Sequence, residues 1–332
     1  MIFKKINALL SRIGLDWFLG AIFLMVALAY YFPRYGLMQE PISLEEIANY
    51  GVSGIFFFYG LKLSIDKLKK GLANWKMHIV IQVTTFLVFP LIALLVKPLF
   101  TTESNENLWL GIFYLAALPS TVSSAVVMVS IADGNLPAAI FNASISSLIG
   151  VFLTPLWIGL FIAADTGGFD AGSIILKLCI QVLLPLIISM LLNKRLGRFA
   201  EKYKVALKNF DQSIILIVIY TSFCKSFALN IFKDLAAFQL LLLGVGLMAL
   251  FFVVILITRM IGKLLGFNRA DSITVMFCGS KKSLVHGTVM SKVLFAQSSI
   301  VGIILLPLMI YHALQLIAAS VMAKKLGNEG GS

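Results

Sequence analysis

Apolar runs of about 20 residues alternate with short polar segments along the whole chain, each long enough for a helix to cross a hydrocarbon core of roughly 30 Å. They lie near 15–33, 46–62, 77–97, 108–132, 136–163, 173–193, 210–229, 237–262, 270–296 and 299–323. Continuous helices satisfy their own backbone where no water is present. The weak ten-residue alternation of a membrane β-barrel is not visible. The pattern therefore predicts an all-α membrane protein with ten transmembrane helices. The first run has a basic start, and Ala27-Leu28-Ala29 resembles a cleavage site. It reads as a span, because its removal leaves an odd count and breaks the repeat described next.

Ser146-Ser147-Leu148-Ile149-Gly150-Val151-Phe152-Leu153-Thr154-Pro155-Leu156-Trp157-Ile158 aligns without gaps on Ser298-Ser299-Ile300-Val301-Gly302-Ile303-Ile304-Leu305-Leu306-Pro307-Leu308-Met309-Ile310, with seven of thirteen positions identical. These stretches fall in spans five and ten. A repeat of five spans enters the membrane from opposite sides, so the chain reads as two inverted five-helix repeats, 1–163 and 164–325, with 326–332 as a flexible tail. Inverted repeats are a common plan of secondary transporters, whose sites lie at the repeat interface near the midplane.

Composition sharpens this class. Hydrophobic residues make up 60% of the chain and charged ones 13%, against roughly a quarter in soluble domains; mean hydropathy is +0.97. The net charge of +12 does not form the single stripe of a nucleic-acid binder. Nineteen of the 27 basic residues sit in every second connection, including Lys67, Lys69, Lys70, Lys194, Arg195, Arg198 and Lys324. By the positive-inside rule, both termini face the cytoplasm and the protein resides in the inner, or plasma, membrane. Cys179, Cys224 and Cys278 lie in apolar runs without metal-ligand spacing and read as inert core thiols.

Two spans are interrupted in equivalent places. Span four carries Pro119-Ser120-Thr121-Val122-Ser123-Ser124, and span nine carries Gly279-Ser280-Lys281-Lys282-Ser283-Leu284-Val285-His286. Proline removes a donor and clashes with the preceding turn; glycine weakens a helix. Such breaks free N–H groups near Ser120 and Ser283 that attract anions, and carbonyls that suit a cation. Buried lysines cost about 2.5 to 3.5 kcal/mol each at a helix centre, so Lys281 and Lys282 are the leading candidates for the transport site. Gln82, Thr85, Asn142 and Ser144 in neighbouring spans, and His286 one turn beyond Lys282, complete the candidate set, although Ser and Thr also serve as helix glue.

With these motifs across nearly its whole length, the chain resembles the bile acid:sodium symporter family, particularly bacterial homologues of the seventh member of the vertebrate family. The resemblance implies a panel of spans 1, 2, 6 and 7 beside a core of spans 3–5 and 8–10, with broken spans four and nine crossing inside the core. It implies sodium-coupled organic-anion transport by movement of the core, with sodium ligands from spans three, four, five and nine. The family's span-four Ser-Asn pair falls on Ser123 and Ser124, its span-three glutamine on Thr85 near Gln82. Its span-five hydroxyls fall on Ala139 and Ala143, beside Asn142 and Ser144. A sodium ion is accordingly expected near Ser123, Ser124 and Asn142.

In span nine the sequence departs from that pattern. The family's acid falls on Phe277, its glutamine on Lys281 and its asparagine on Lys282. This removes the charge that would hold sodium and argues against ordinary two-sodium coupling. A lysine ammonium would stand in place of the ion or itself exchange protons, giving proton-coupled or uncoupled transport. The expected function is therefore secondary transport of a small or amphipathic organic anion, with the lipid bilayer and that anion as partners and no cofactor beyond a coupling ion. The rival is a membrane regulator of calcium handling. An enzyme is not expected, since no paired intramembrane acids or nucleophile–base pair is found.

Overall fold

A computed structural model describes residues 17–40, 43–62, 74–100, 103–121, 123–165, 176, 179–233, 235–295 and 298–330. All regular structure among them is helical. The first helices are α1 (Trp17–Tyr31), the short α2 (Pro33–Leu37) and α3 (Leu44–Lys62). Helix α4 (75–95) comprises Trp75–Val83, a π-helical turn at Thr84–Val88 and Phe89–Leu95. Helices α5 (Glu103–Ala117) and α6 (Ser123–Ile131) share one path, followed by α7 (Leu136–Asp165). A π-helical turn at Cys179–Leu183 leads into α8 (Leu184–Lys202), and then come α9 (Lys204–Ala228) and α10 (Ala237–Leu264). Helices α11 (Arg269–Ser280) and α12 (Leu284–Leu294) form the second interrupted path, before α13 (Val301–Gly330).

Among the described residues, each apolar stretch contains helix. Six helices among the described residues are long and apolar enough to cross a membrane, within Trp75–Leu99, Leu136–Leu160, Ile180–Lys202, Lys204–Ala228, Ala237–Leu264 and Val301–Glu329. Helix α10 exposes Phe238, Leu241, Leu242, Val245, Leu256 and Met260, an apolar surface that water does not tolerate at this extent. The chain is an all-α membrane protein.

Several boundaries differ from the sequence expectation. The basic stretch after residue 193 is helical, because only Tyr203 (φ −102°, ψ 21°) interrupts α8 and α9. The last helix runs through residues 326–330, most of the segment expected to be a flexible tail. There Arg269 donates to the Leu326 carbonyl, and Gly327 packs so closely on the Ile131 carbonyl that no Cβ would fit.

Helix α3 packs on α8 and α9, and α1 packs on α9. In the rest of the bundle α11 contacts α10, α4 and α6, while α13 contacts α5, α10 and α12. At one end, three helix starts are tied together. Asn74, Asn135 and Asn268 cap α4, α7 and α11 by accepting from Met77, Ala138 and Asp271 N–H groups. All three amides also donate to the buried Asp271 carboxylate, at 2.9, 2.8 and 3.2 Å. A buried charge without an opposite charge needs such hydrogen bonds to be tolerable.

Candidate functional site

The two interrupted paths touch at their breaks. Ser283 N–H donates to the Pro119 carbonyl at 3.0 Å, and Ser120 Oγ donates to the Cys278 carbonyl at 2.6 Å. Every buried backbone group needs a partner, so the freed groups of each break reveal how the site is assembled.

In the first break the helix ends at Ala117 because Pro119 has no N–H to offer. Leu118 N–H bonds the Leu115 carbonyl at 3.2 Å. Ser120 N–H turns to Ser146 Oγ at 2.9 Å instead of the carbonyl one turn back. Thr154 Oγ1 satisfies the Ala117 carbonyl at 2.7 Å. The Ala116 and Leu118 carbonyls remain, and Lys282 Nζ donates to them at 2.6 and 2.8 Å.

A third carbonyl comes from α4. In its π-helical turn, Phe89 N–H bonds the Thr84 carbonyl, and residue 90 is a proline with no N–H. The Thr85 carbonyl is thereby orphaned, and Lys282 Nζ donates to it at 2.7 Å. The Phe89 ring lies with its centroid 4.1 Å from the same ammonium, within the range of cation–π attraction. Three carbonyls and one ring face thus enclose a fully buried cation.

The second break does not begin at Gly279, which lies inside α11. Its place is at Lys281 and Ser283, whose backbones are extended. Tyr311 Oη donates to the Ser280 carbonyl at 2.7 Å. The Gln315 amide bonds both the N–H and the carbonyl of Lys282, each at 2.9 Å. Ser283 caps α12 by accepting from His286 N–H at 3.3 Å. Nothing in this break needs residue 279 to be glycine except the Thr258 methyl, which lies 3.2 Å from where a Cβ would sit.

Lys281 is equally buried but differently held. Among the described residues its ammonium makes one bond, 3.3 Å to the Ser124 carbonyl. On the segments that meet here, Ser124 Oγ, Ser280 Oγ and Thr84 Oγ1 are buried hydroxyls without a hydrogen-bond partner among the described residues. Native interiors leave few such groups.

The other predicted residues divide into two groups. Gln82 Nε2 donates to Asn142 Oδ1 at 3.2 Å, while Asn142 Nδ2 bonds His78 Nδ1 at 2.8 Å and the Ala138 carbonyl at 2.9 Å. This seam joins α4 to α7 and borders a cavity of about 440 Å³ lined by Gln82, Phe86, Leu153 and Trp157. Thr85 Oγ1 serves its own helix through the Ile81 carbonyl at 2.8 Å, and Thr121 is buried. Ser123 opens α6.

The second group faces α3. His286 meets the rings of Phe56 and Tyr59 at 6.3 and 5.4 Å, and its Nδ1 pairs with Ser283 Oγ at 2.9 Å. Tyr59 Oη donates to the Ser144 carbonyl at 3.3 Å. Further along α12, Lys292 forms a 3.0 Å ion pair with Glu45. Cavities of about 580 and 600 Å³ lie elsewhere, the first apolar beside α10, the second beside Glu46 and Tyr50. Neither Lys281 nor Lys282 lines any of these cavities.

A sodium ion placed among the Thr85, Ala116 and Leu118 carbonyls would need the position of Lys282 Nζ, so the residues present do not fit sodium there. At the position expected from the sequence, the Ser124 carbonyl accepts from Lys281 and Asn142 Oδ1 accepts from Gln82. Sequence reasoning missed Phe89 and Pro90, whose adjacency in an apolar span was the available signal, and it missed the carboxylate of Asp271. His78 is a further unanticipated partner of Asn142.

The chain is similar to known proteins over nearly its whole length. Residues 16–328 match the model of the SBF-like CPA transporter family. The chain is 35% identical over 313 residues to the putative symporter YfeH of Escherichia coli, covering 94% of this chain and 92% of that protein. It is 34% identical over 322 residues to sodium/bile acid cotransporter 7 of Danio rerio, covering 95% and 94%. An uncharacterized protein of Pseudomonas aeruginosa is 38% identical over 310 residues, covering 93% and 92%. The chain therefore belongs to the SBF-like CPA transporter family, a family of membrane transporters related to the bile acid:sodium symporters.

Proposed function

We propose that the protein is a secondary carrier for an amphipathic organic anion. Its ten spans form two inverted repeats with both termini in the cytoplasm, and a core of α4–α7 and α10–α13 moves against a panel of α1, α3, α8 and α9. The observation that carries this reading is a pair of buried lysines at a point where two broken helices meet. Such a pair is costly inside a membrane protein and is kept where charge must be handled. Lys281, with most of its donors uncommitted among the described residues, receives the carboxylate or sulfate. Ser283, His286 and Tyr59 lie where α12 meets the panel and border the route to it. The names of the cotransporter relatives favour a bile-acid-like anion, polar at one end and apolar over most of its surface.

Uptake of a panel of organic anions into proteoliposomes tests this, with sodium and proton gradients imposed separately. Accumulation of at least one amphipathic anion is expected, with strong loss in Lys281→Met. No anion uptake above empty vesicles, or full uptake in that variant, refutes the reading. The separate gradients distinguish proton coupling from sodium coupling through Ser123, Ser124 and Asn142.

A further inference from the structure

The two adjacent lysines have different surroundings, and the difference assigns them different tasks. All three N–H donors that an ammonium possesses are committed in Lys282, to carbonyls at 2.6, 2.7 and 2.8 Å. The remaining side is covered by the Phe89 ring at 4.1 Å. A carboxylate cannot enter this cage without displacing a carbonyl. The cage has the chemistry of a site for a small monovalent cation: neutral oxygen ligands from two helices, converging on one point, with no acid among them.

Each ligand is there because a backbone donor is missing. Pro90 cannot pair Thr85, Pro119 ends α5, and Ser120 N–H is drawn away to Ser146. These are separate features on α4, α5 and α7, and all three leave oxygens aimed at the same atom. Leaving buried acceptors unpaired is costly, so some cation or donor must occupy the cage for the two breaks to pack.

We infer that Lys282 is a tethered resident cation: its ammonium permanently fills a carbonyl site that would otherwise bind a free monovalent cation. The site is loaded as the chain folds and needs no ion from solution. Lys281 is left as the lysine that meets substrate. This division of labour rests on the carrier reading for Lys281, while the role of Lys282 stands on the cage alone.

Thermal unfolding of the purified protein in detergent tests the role of Lys282 without any transport assay. Wild type and Lys282→Ala are compared in sodium, potassium, methylammonium and choline chlorides at equal ionic strength. The wild-type Tm is expected to be the same in methylammonium as in choline, because the cage is already filled. Lys282→Ala is expected to unfold at lower temperature and to regain Tm, saturably, in methylammonium or a small metal cation but not in choline, which is too large for the cage. Lys282→Met fills the same volume without charge, and is expected to be less stable than wild type in every salt.

A methylammonium-specific gain in the wild type overturns the inference, as does a Lys282→Met protein as stable as wild type. A folded Lys282→Ala protein with no preference among the salts also overturns it. Should Lys282→Ala not fold, the wild-type and Lys282→Met arms decide alone. A failure of anion uptake would sink the carrier reading and leave these results untouched.

Discussion

The break between α5 and α6 and the break between α11 and α12 meet face to face, yet they contribute opposite things. The first is made by a proline and yields carbonyl acceptors. The second is made by extended residues around two lysines and yields cations. Neither break is satisfied by its own helix: Lys282 pairs Ala116 and Leu118, while Ser120 pairs Cys278. The lesson is that a matched pair of interruptions need not be symmetric in chemistry. Each supplies what the other lacks, and the buried charge is tolerated only while both are in register.

The largest test of this asymmetry is Lys282→Met. It should destabilise by about 3 kcal/mol or more, because up to three buried acceptors lose their partner at roughly 1 to 3 kcal/mol each. Denaturation followed by tryptophan fluorescence measures it. Next comes Gly150→Ala, which attacks the proline side. An added Cβ would lie 2.8 Å from Cβ and Cγ of Pro119, and a rigid ring cannot step aside. Overpacking of this kind costs about 1 to 3 kcal/mol, and the same fluorescence assay reports it.

Lys281→Met should separate function from stability. Loss of a hydrogen bond to a charged group is worth about 1.5 to 3 kcal/mol, so anion uptake at subsaturating substrate should fall at least about tenfold while Tm changes little. Ser120→Ala removes one cross-break hydrogen bond and should cost about 1 kcal/mol. An unchanged Tm would show that the breaks hold together without it. The smallest effect is expected from Gly279→Ala. The nearest neighbour, the Thr258 methyl at 3.2 Å, must yield slightly, while the helix gains about 0.5 to 1 kcal/mol from alanine. A large loss there would restore Gly279 as a required helix breaker.

Much of this was legible from residue order. Pro119 announces its break because proline lacks a donor wherever it sits in a helix. Lys281 and Lys282 stand out because charge is rare in apolar spans. The α-helical class follows from run length alone. Gly279 misled, since glycine lowers helix propensity without forbidding a helix, and tertiary contacts held it in α11. The π-helical turn at Thr84–Val88 left no periodic trace, because one extra residue per turn is set by what Pro90 cannot do and by the lysine that rewards it. Partners such as Thr85 and Lys282 are 197 residues apart, and no local pattern records a backbone carbonyl waiting for a side chain. Lys282 looked like an anion receptor by charge; its surroundings, invisible in one dimension, give it carbonyl partners instead.

The carboxylate of Asp271, held by asparagines 197 and 136 residues earlier in the chain, has a consequence for biogenesis. Asn74 and Asn135 are synthesised and placed long before residue 271 leaves the ribosome. Until then, the starts of α4 and α7 have no common anchor. The carbonyls of Thr85, Ala116 and Leu118 wait still longer, for residue 282. The N-terminal half is thus an unfinished intermediate whose polar groups are completed by the later half, so the order of translation makes the last-made segment the closure of the first.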